Sequence, residues 1–96
     1  MLNRMITSFR CKDTQDLFEG GSPRCFQAFR AVAERKLTQL HVAVTLGFLR
    51  SPPGNQLEKL SGDRAGQWSI RINRQWRLCF IWDDSEAREV EIVDYH

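Results

Sequence analysis

At 96 residues, 42% of them hydrophobic and 27% charged, the chain is long enough for one core of a sheet with one or two helices and too short for two cores. The composition carries no sign of disorder, and a formal net charge of +2 is low for a protein that merely coats nucleic acid. No apolar run approaches a membrane span, and the first thirty residues hold no continuous apolar stretch of the secretory kind, so a cytoplasmic protein is expected.

In chain order, a short strand is expected over 6–9, then a short helix from Asp13 that stops at Gly20 and Gly21. Ser22 and Pro23 follow as N-cap and first residue of a main helix. Within it Phe26, Phe29, Ala33, Leu37, Leu40 and Val44 recur at steps of three or four and form one apolar stripe toward a sheet. After Gly47 the paired prolines and the glycine at 52–54 forbid helix and make 49–55 a loop. A strand over 57–60 and a tight turn over 62–66 come next.

The stretch 68–82 alternates more regularly than any other. Trp68, Ile70 and Ile72 interleave with Ser69, Arg71 and Asn73, and Trp76, Leu78, Phe80 and Trp82 interleave with Arg77, Cys79 and Ile81. With Asn73, Arg74 and Gln75 as a three-residue loop, Ile72 pairs with Trp76, Ile70 with Leu78 and Trp68 with Phe80, so every apolar pair shares a face. That register sets Arg71 opposite Arg77. Like charges opposed on a ladder repel, which points to an anion between them, a phosphate above all. Removing Arg77 should then leave stability level or raise it. A last strand over 89–95 puts Val90 and Ile92 on one face and Glu91, Val93 and Tyr95 on the other. The order gives an α+β domain covering 1–96: two N-terminal helices on one face of a twisted, largely antiparallel sheet of four to five strands. The arginine face is left partly open.

Charge is partitioned along the chain. From 58 to 78 five basic residues (Lys59, Arg64, Arg71, Arg74, Arg77) stand against Glu58 and Asp63, whereas from 83 to 94 six acidic residues stand against Arg88. A basic patch beside an acidic rim suits a selective phosphate contact. Cys11, Cys25 and Cys79 are widely spaced, with only His41 and His96 as further soft ligands, so neither a disulfide scaffold nor a metal site is expected. Cys79 shares the arginine face by parity, either as a nucleophile or as a small buried apolar residue.

Several segments, in this order and spacing, resemble HigB-type toxins of the RelE/ParE superfamily of bacterial toxin–antitoxin modules. They are Met5 to Phe9, Ala33 to Leu37, Ser51 to Asn55, Gly62-Asp63-Arg64, Trp68-Ser69-Ile70, Gln75-Trp76-Arg77 and the closing Asp94-Tyr95-His96. The resemblance spans nearly the whole chain and implies Met5 as the natural start, with residues 1–4 an extension. It further implies a ribosome-dependent endoribonuclease for translated mRNA that works without metal or cofactor. Such a protein is held inactive by a HigA-like antitoxin with a DNA-binding helix-turn-helix, meets operator DNA only through that antitoxin, and has no membrane partner.

The chemistry implied is attack of a ribose 2′-hydroxyl on the neighbouring phosphate, which needs a base, cations for the phosphoryl oxygens and an acid for the leaving oxygen. Arg77 matches the family's arginine after tryptophan and is assigned to the phosphate. Arg71 is the second cation or, alternatively, an exposed strand residue paired with a carboxylate such as Glu91. Tyr95 and His96 match the terminal pair that moves protons, with Tyr95 also placed to stack on a base and Asp94 to support the imidazole. Some relatives carry a histidine and a lysine before the Gly-Asp-Arg turn where this chain has Glu58 and Ser61, which leaves the base open between Glu58 and Lys59. Arg64, Arg74 and Lys59 are assigned to RNA or ribosome binding; Arg64 equally suits an ion pair with Asp63 or Glu58. Two other classes stay open: a ParE-like poison of DNA gyrase, which has no need of Arg77, Tyr95 and His96, and a degenerate toxin that only binds its antitoxin.

Overall fold

The computed structural model describes residues 6–95. Met5, residues 1–4 and His96 lie outside them. Two α-helices, α1 (Lys12–Phe18) and α2 (Arg30–Val42), precede four strands, β1 (Glu58–Lys59), β2 (Trp68–Arg71), β3 (Trp76–Asp83) and β4 (Glu86–Asp94). The strands form one antiparallel sheet in the order β1-β2-β3-β4. Residues 6–10 add to the outer edge of β4 in parallel, through bridges Ile6–Ala87 and Phe9–Val90. Among the described residues no helix is long and apolar enough to cross a membrane.

Helix α1 ends because Gly20 takes φ +101°, a conformation that costs a glycine nothing. The Gly21 N–H then reaches back to Asp16 O at 2.8 Å and Gly20 N–H to Leu17 O at 3.1 Å, satisfying two carbonyls of the last turn. The buried pair Thr14 and Leu17 faces the sheet, and Thr14 Oγ1 accepts the Ile92 N–H at 3.0 Å. The main helix opens differently from its sequence signals. A 3₁₀ segment, Arg24–Phe29, comes first with Pro23 as its N-cap, so Pro23 is not the first helical residue, and the Ser22 hydroxyl accepts from Gln27 and Arg30 side chains. Ala33, Leu37 and Leu40 carry the expected stripe into the core, while Phe26 and Phe29 pack on Trp76 with ring centroids 5.9 and 5.1 Å away. Val44 leaves the stripe. The helix stops at Val42, the extended Ala43 takes the buried place, and Val44 turns out to 60% exposure.

The 49–55 loop is folded into 3₁₀ turns, Leu46–Arg50 and Pro53–Asn55, and the expected strand over 57–60 is regular only at Glu58–Lys59. The hairpin has the register read from its alternation: Trp68 faces Phe80, Ile70 faces Leu78 and Arg71 faces Arg77. Asn73 Oδ1 shapes its loop by accepting the Gln75 and Trp76 N–H groups, each at 2.8 Å. Strand β4 begins before Glu89, directly after a two-residue turn in which Asp84 and Ser85 have φ 51° and 68°. Between the pairs Ile81–Arg88 and Cys79–Glu91, Glu89 and Val90 together oppose the lone Phe80. This bulge, with Glu89 at φ 53°, lets both Ala87 and Val90 face the core three residues apart.

Candidate active site

The face of the sheet away from the helices carries Glu58, Ser69, Arg71, Arg77, Cys79 and Glu91, as the pairings Glu58–Ser69, Ser69–Cys79, Arg71–Arg77 and Cys79–Glu91 require. It is less open than alternation alone implies. Ser69 and Cys79 are fully buried, and Arg77 is only 8% exposed. The Arg77 guanidinium is fixed at two nitrogens: Nε donates to Ser69 Oγ at 2.7 Å and Nη2 to the Gln56 carbonyl at 2.6 Å, with a longer contact to Ser69 O at 3.5 Å. Glu58 Oε1 lies 3.7 Å from Nη2, and the guanidinium carbon lies 5.8 Å from the centre of the Tyr95 ring. The repulsion expected between the opposed arginines is therefore answered from within the protein, by Ser69, a backbone carbonyl, a carboxylate and a π-face. Nη1 makes no hydrogen bond among the described residues.

Arg71 is half-buried at the mouth of this group, and among the described residues it has no ion-pair partner. The alternative pairing with Glu91 does not occur, because Glu91 Oε1 is taken by Arg64 Nη1 at 3.3 Å and lies 3.9 Å from Arg10 Nε. Arg64, accordingly, bonds Glu91 and Gln67, not Asp63 or Glu58, and crosses to the same face from the Gly62–Arg64 turn. Lys59 goes the other way. It pairs with Trp68, with its ammonium 5.8 Å from the Trp68 ring, on the face opposite Arg77, so of the two bases left open Glu58 alone stands beside the arginine. Arg74 is exposed in the hairpin loop. Asp94 pairs with Trp76 and accepts from Gln75 Nε2 at 3.0 Å, while the Tyr95 N–H bonds Gln75 O at 2.6 Å and anchors the exposed ring. Cys79, ringed by the charges of Arg64, Glu91 and Arg77, is pushed up to about 11 by burial, which fits a small core residue and not a nucleophile.

Sequence reading passed over the residues that hold this group in place. Ser69 and Gln56 bond Arg77 directly. Asn55, fully buried, accepts from Lys36 Nζ and donates to Gln39 Oε1 and Leu49 O. Burial, with Arg35 beside it, pushes the Lys36 ammonium below its ordinary value. The signal in the sequence was the Pro-Pro-Gly-Asn run itself, since a turn that ends on asparagine supplies a side chain able to cross-link neighbouring backbone.

An antiparallel sheet with both helices on one face is the fold this chain shares with solved toxins, and the family model it matches is of RelE-like toxins. The solved YoeB–YefM complex from Staphylococcus aureus contains a chain similar to this one at TM-score 0.58 and 21% identity, covering 99% of each chain. The family model of the HigB-like toxins, described as the RelE-like toxin of the type II toxin–antitoxin system HigB, matches residues 7–96. Toxin HigB-1 of Vibrio cholerae serotype O1 is 49% identical over 53 residues, 55% of this chain and 56% of that relative. Endoribonuclease HigB of Proteus vulgaris is 34% identical over 94 residues, 96% of this chain and 100% of that relative. The chain belongs to the HigB-like toxins of type II toxin–antitoxin systems.

Proposed function

We propose that the protein is an endoribonuclease that cleaves mRNA on the translating ribosome in the cytoplasm and is silenced by a HigA-like helix-turn-helix antitoxin, through which alone it meets operator DNA. The observation that carries this reading is the convergence of Arg77, Glu58 and Tyr95 on one sheet face, at 3.7 and 5.8 Å. In this reading Glu58 takes the proton of a ribose 2′-hydroxyl, the 2′-oxygen bonds to the adjacent phosphorus, and the bond to the 5′-oxygen of the next nucleotide breaks. The products are a 2′,3′-cyclic phosphate and a 5′-hydroxyl. Arg77 through Nη1, and Arg71 beside it, neutralise the charge that grows on the phosphoryl oxygens, where a planar guanidinium that stays ionised is well suited. Tyr95 stacks on a splayed base and, with His96, returns a proton to the leaving oxygen, Asp94 supporting the imidazole. Arg64 and Arg74 contact RNA or ribosomal phosphates, and Lys59, on the far face, is left to the ribosome. The groups in place are few for an enzyme that must align its own substrate, so the ribosome supplies the in-line geometry.

Mapping mRNA 5′-ends after brief induction tests this reading. New ends inside translated codons are expected, with naked RNA left intact by the purified protein. Glu58→Gln should lower the cleavage rate while leaving the thermal midpoint level, because Glu58 is half exposed and its ion pair contributes little to stability. DNA breaks that depend on gyrase, without new mRNA ends, would replace the reading with the ParE-like one.

A further inference from the structure

The Asn55 side chain bonds none of the residues around Arg77, yet it is fully buried, with both amide hydrogens and the amide oxygen engaged. Nδ2 donates to Gln39 Oε1 and Leu49 O, each at 3.0 Å, and Oδ1 accepts from Lys36 Nζ at 2.5 Å. Lys36 and Gln39 sit about one turn apart on α2, so this loop residue is tied to a helix whose inner stripe is locked in the core. The next residue, Gln56, lies in the left-handed region at φ 45° and ψ 57°. A side-chain-bearing residue holds that conformation only where its surroundings force it. What the strained conformation achieves is to aim the Gln56 carbonyl at Arg77 Nη2.

A guanidinium bonded at Nε alone still turns about its Cδ–Nε bond; bonded at Nε and Nη2, its plane is fixed and Nη1 points one way. Ser69 supplies the first bond and Gln56 the second. We propose that Asn55, held by Lys36 and Gln39, is a positioning residue that acts through the Gln56 carbonyl to fix the plane of Arg77 and hence the direction of Nη1. The proposal rests on the reading of Arg77 as the phosphate-binding cation. Asn55 touches neither substrate nor reacting atoms; its effect is geometric.

The test follows Arg77 directly, through its side-chain Nε–Hε resonance in the purified, ¹⁵N-labelled protein, assigned by its loss in Arg77→Lys. Three variants are compared with the parent for that resonance, for thermal midpoint and for single-turnover cleavage of mRNA on programmed ribosomes at saturating protein. Gln56→Gly accepts the left-handed conformation freely, so its midpoint stays level while the carbonyl is free to drift. The Arg77 signal should shift and broaden, and the saturated rate should fall by up to about a hundredfold, as misplacements near 1 Å do, with half-saturation unchanged. Asn55→Ala should give the same signature measured below its midpoint. If Asn55→Ala does not fold, Lys36→Met, which keeps the buried stem and removes the donor to Oδ1, carries the same expectation. An Arg77 resonance unmoved in these variants, or a moved resonance with an unchanged rate, overturns the proposal. Should the parent protein cleave nothing, the nuclease reading fails separately, and the resonance still decides whether Asn55 orients Arg77.

Discussion

Truncating Arg77 provides the sharpest test of how this face is built, because alternation and structure lead to opposite signs. Two opposed arginines suggest that Arg77→Ala relieves repulsion worth about 0.2–1 kcal/mol. The structure instead shows a buried guanidinium whose removal strips Ser69 Oγ and the Gln56 carbonyl of a charged donor. Hydrogen bonds to charged groups contribute roughly 1.5–3 kcal/mol each. The Gln56 loss counts at the low end, since that residue is exposed and water reaches it. Loss of the Tyr95 contact adds about 0.5–1 kcal/mol and loss of the half-exposed Glu58 pair less still. After the relieved repulsion is set against these, a net destabilisation of about 3–5 kcal/mol remains, or roughly 15–25 °C in thermal midpoint for a domain of this size. Circular dichroism melts of Arg77→Ala and Arg71→Ala beside the parent give the answer. Arg71 has no ion pair among the described residues, so its removal should leave the midpoint level or slightly raised. Equal effects from the two variants, or a midpoint for Arg77→Ala at or above that of the parent, would refute this account of the face. Loss of toxicity in Arg77→Ala must accordingly be read against its folded fraction.

Arg74→Ala, at an exposed loop position, should leave the midpoint level and weaken ribosome association most at low salt, which titration of binding against ionic strength measures. Cleavage should persist when divalent ions are chelated under conditions that keep the ribosome intact, and end analysis should find 2′,3′-cyclic or 3′-phosphate; 3′-hydroxyl ends would exclude attack by the 2′-hydroxyl. Thiol titration of the native protein should detect Cys25 rapidly and Cys79 only on unfolding. Because Cys79 is raised from 9.0 to about 11 on folding, the unfolded chain gives up its proton first: stability is level below pH 9 and falls as pH climbs toward 11, the sign to look for in melts at alkaline pH.

The register of the central hairpin was legible because period-two alternation on two adjacent strands admits one loop length that keeps every apolar pair on a single face. Ala33, Leu37 and Leu40 were legible for the same reason at helical period. Parity assigns a residue to a face, however, and says nothing of what lies over that face. Arg77 therefore read as an open cation although Gln56, Ser69 and Tyr95 enclose it, and Lys59 stood beside Glu58 as a candidate base although its pairing with Trp68 turns it away. Val44 was lost to a helix end one residue beyond Val42 that no glycine or proline marks. The Ser8 bond to the Glu89 N–H and the parallel bridges of residues 6–9 depend on partners about eighty positions distant, which local pattern does not encode.

Those bridges bear on how the protein comes into being. The Thr7 N–H is received by Ala87 O, the Val90 N–H by Ser8 O and the Ile92 N–H by Thr14 Oγ1, so the earliest described residues find their backbone partners in β4, the last described strand to be synthesised. A nascent chain stalled before β4 has its first segment and α1 without a sheet edge to join, and it lacks Tyr95 beside Arg77. Completing the fold therefore waits on the synthesis of β4, a long-range closure that is slow by topology. Until that stretch is made the sheet lacks the edge that takes residues 6–10 and Arg77 lacks the Tyr95 ring, so one late segment both closes the fold and completes the group around the arginine.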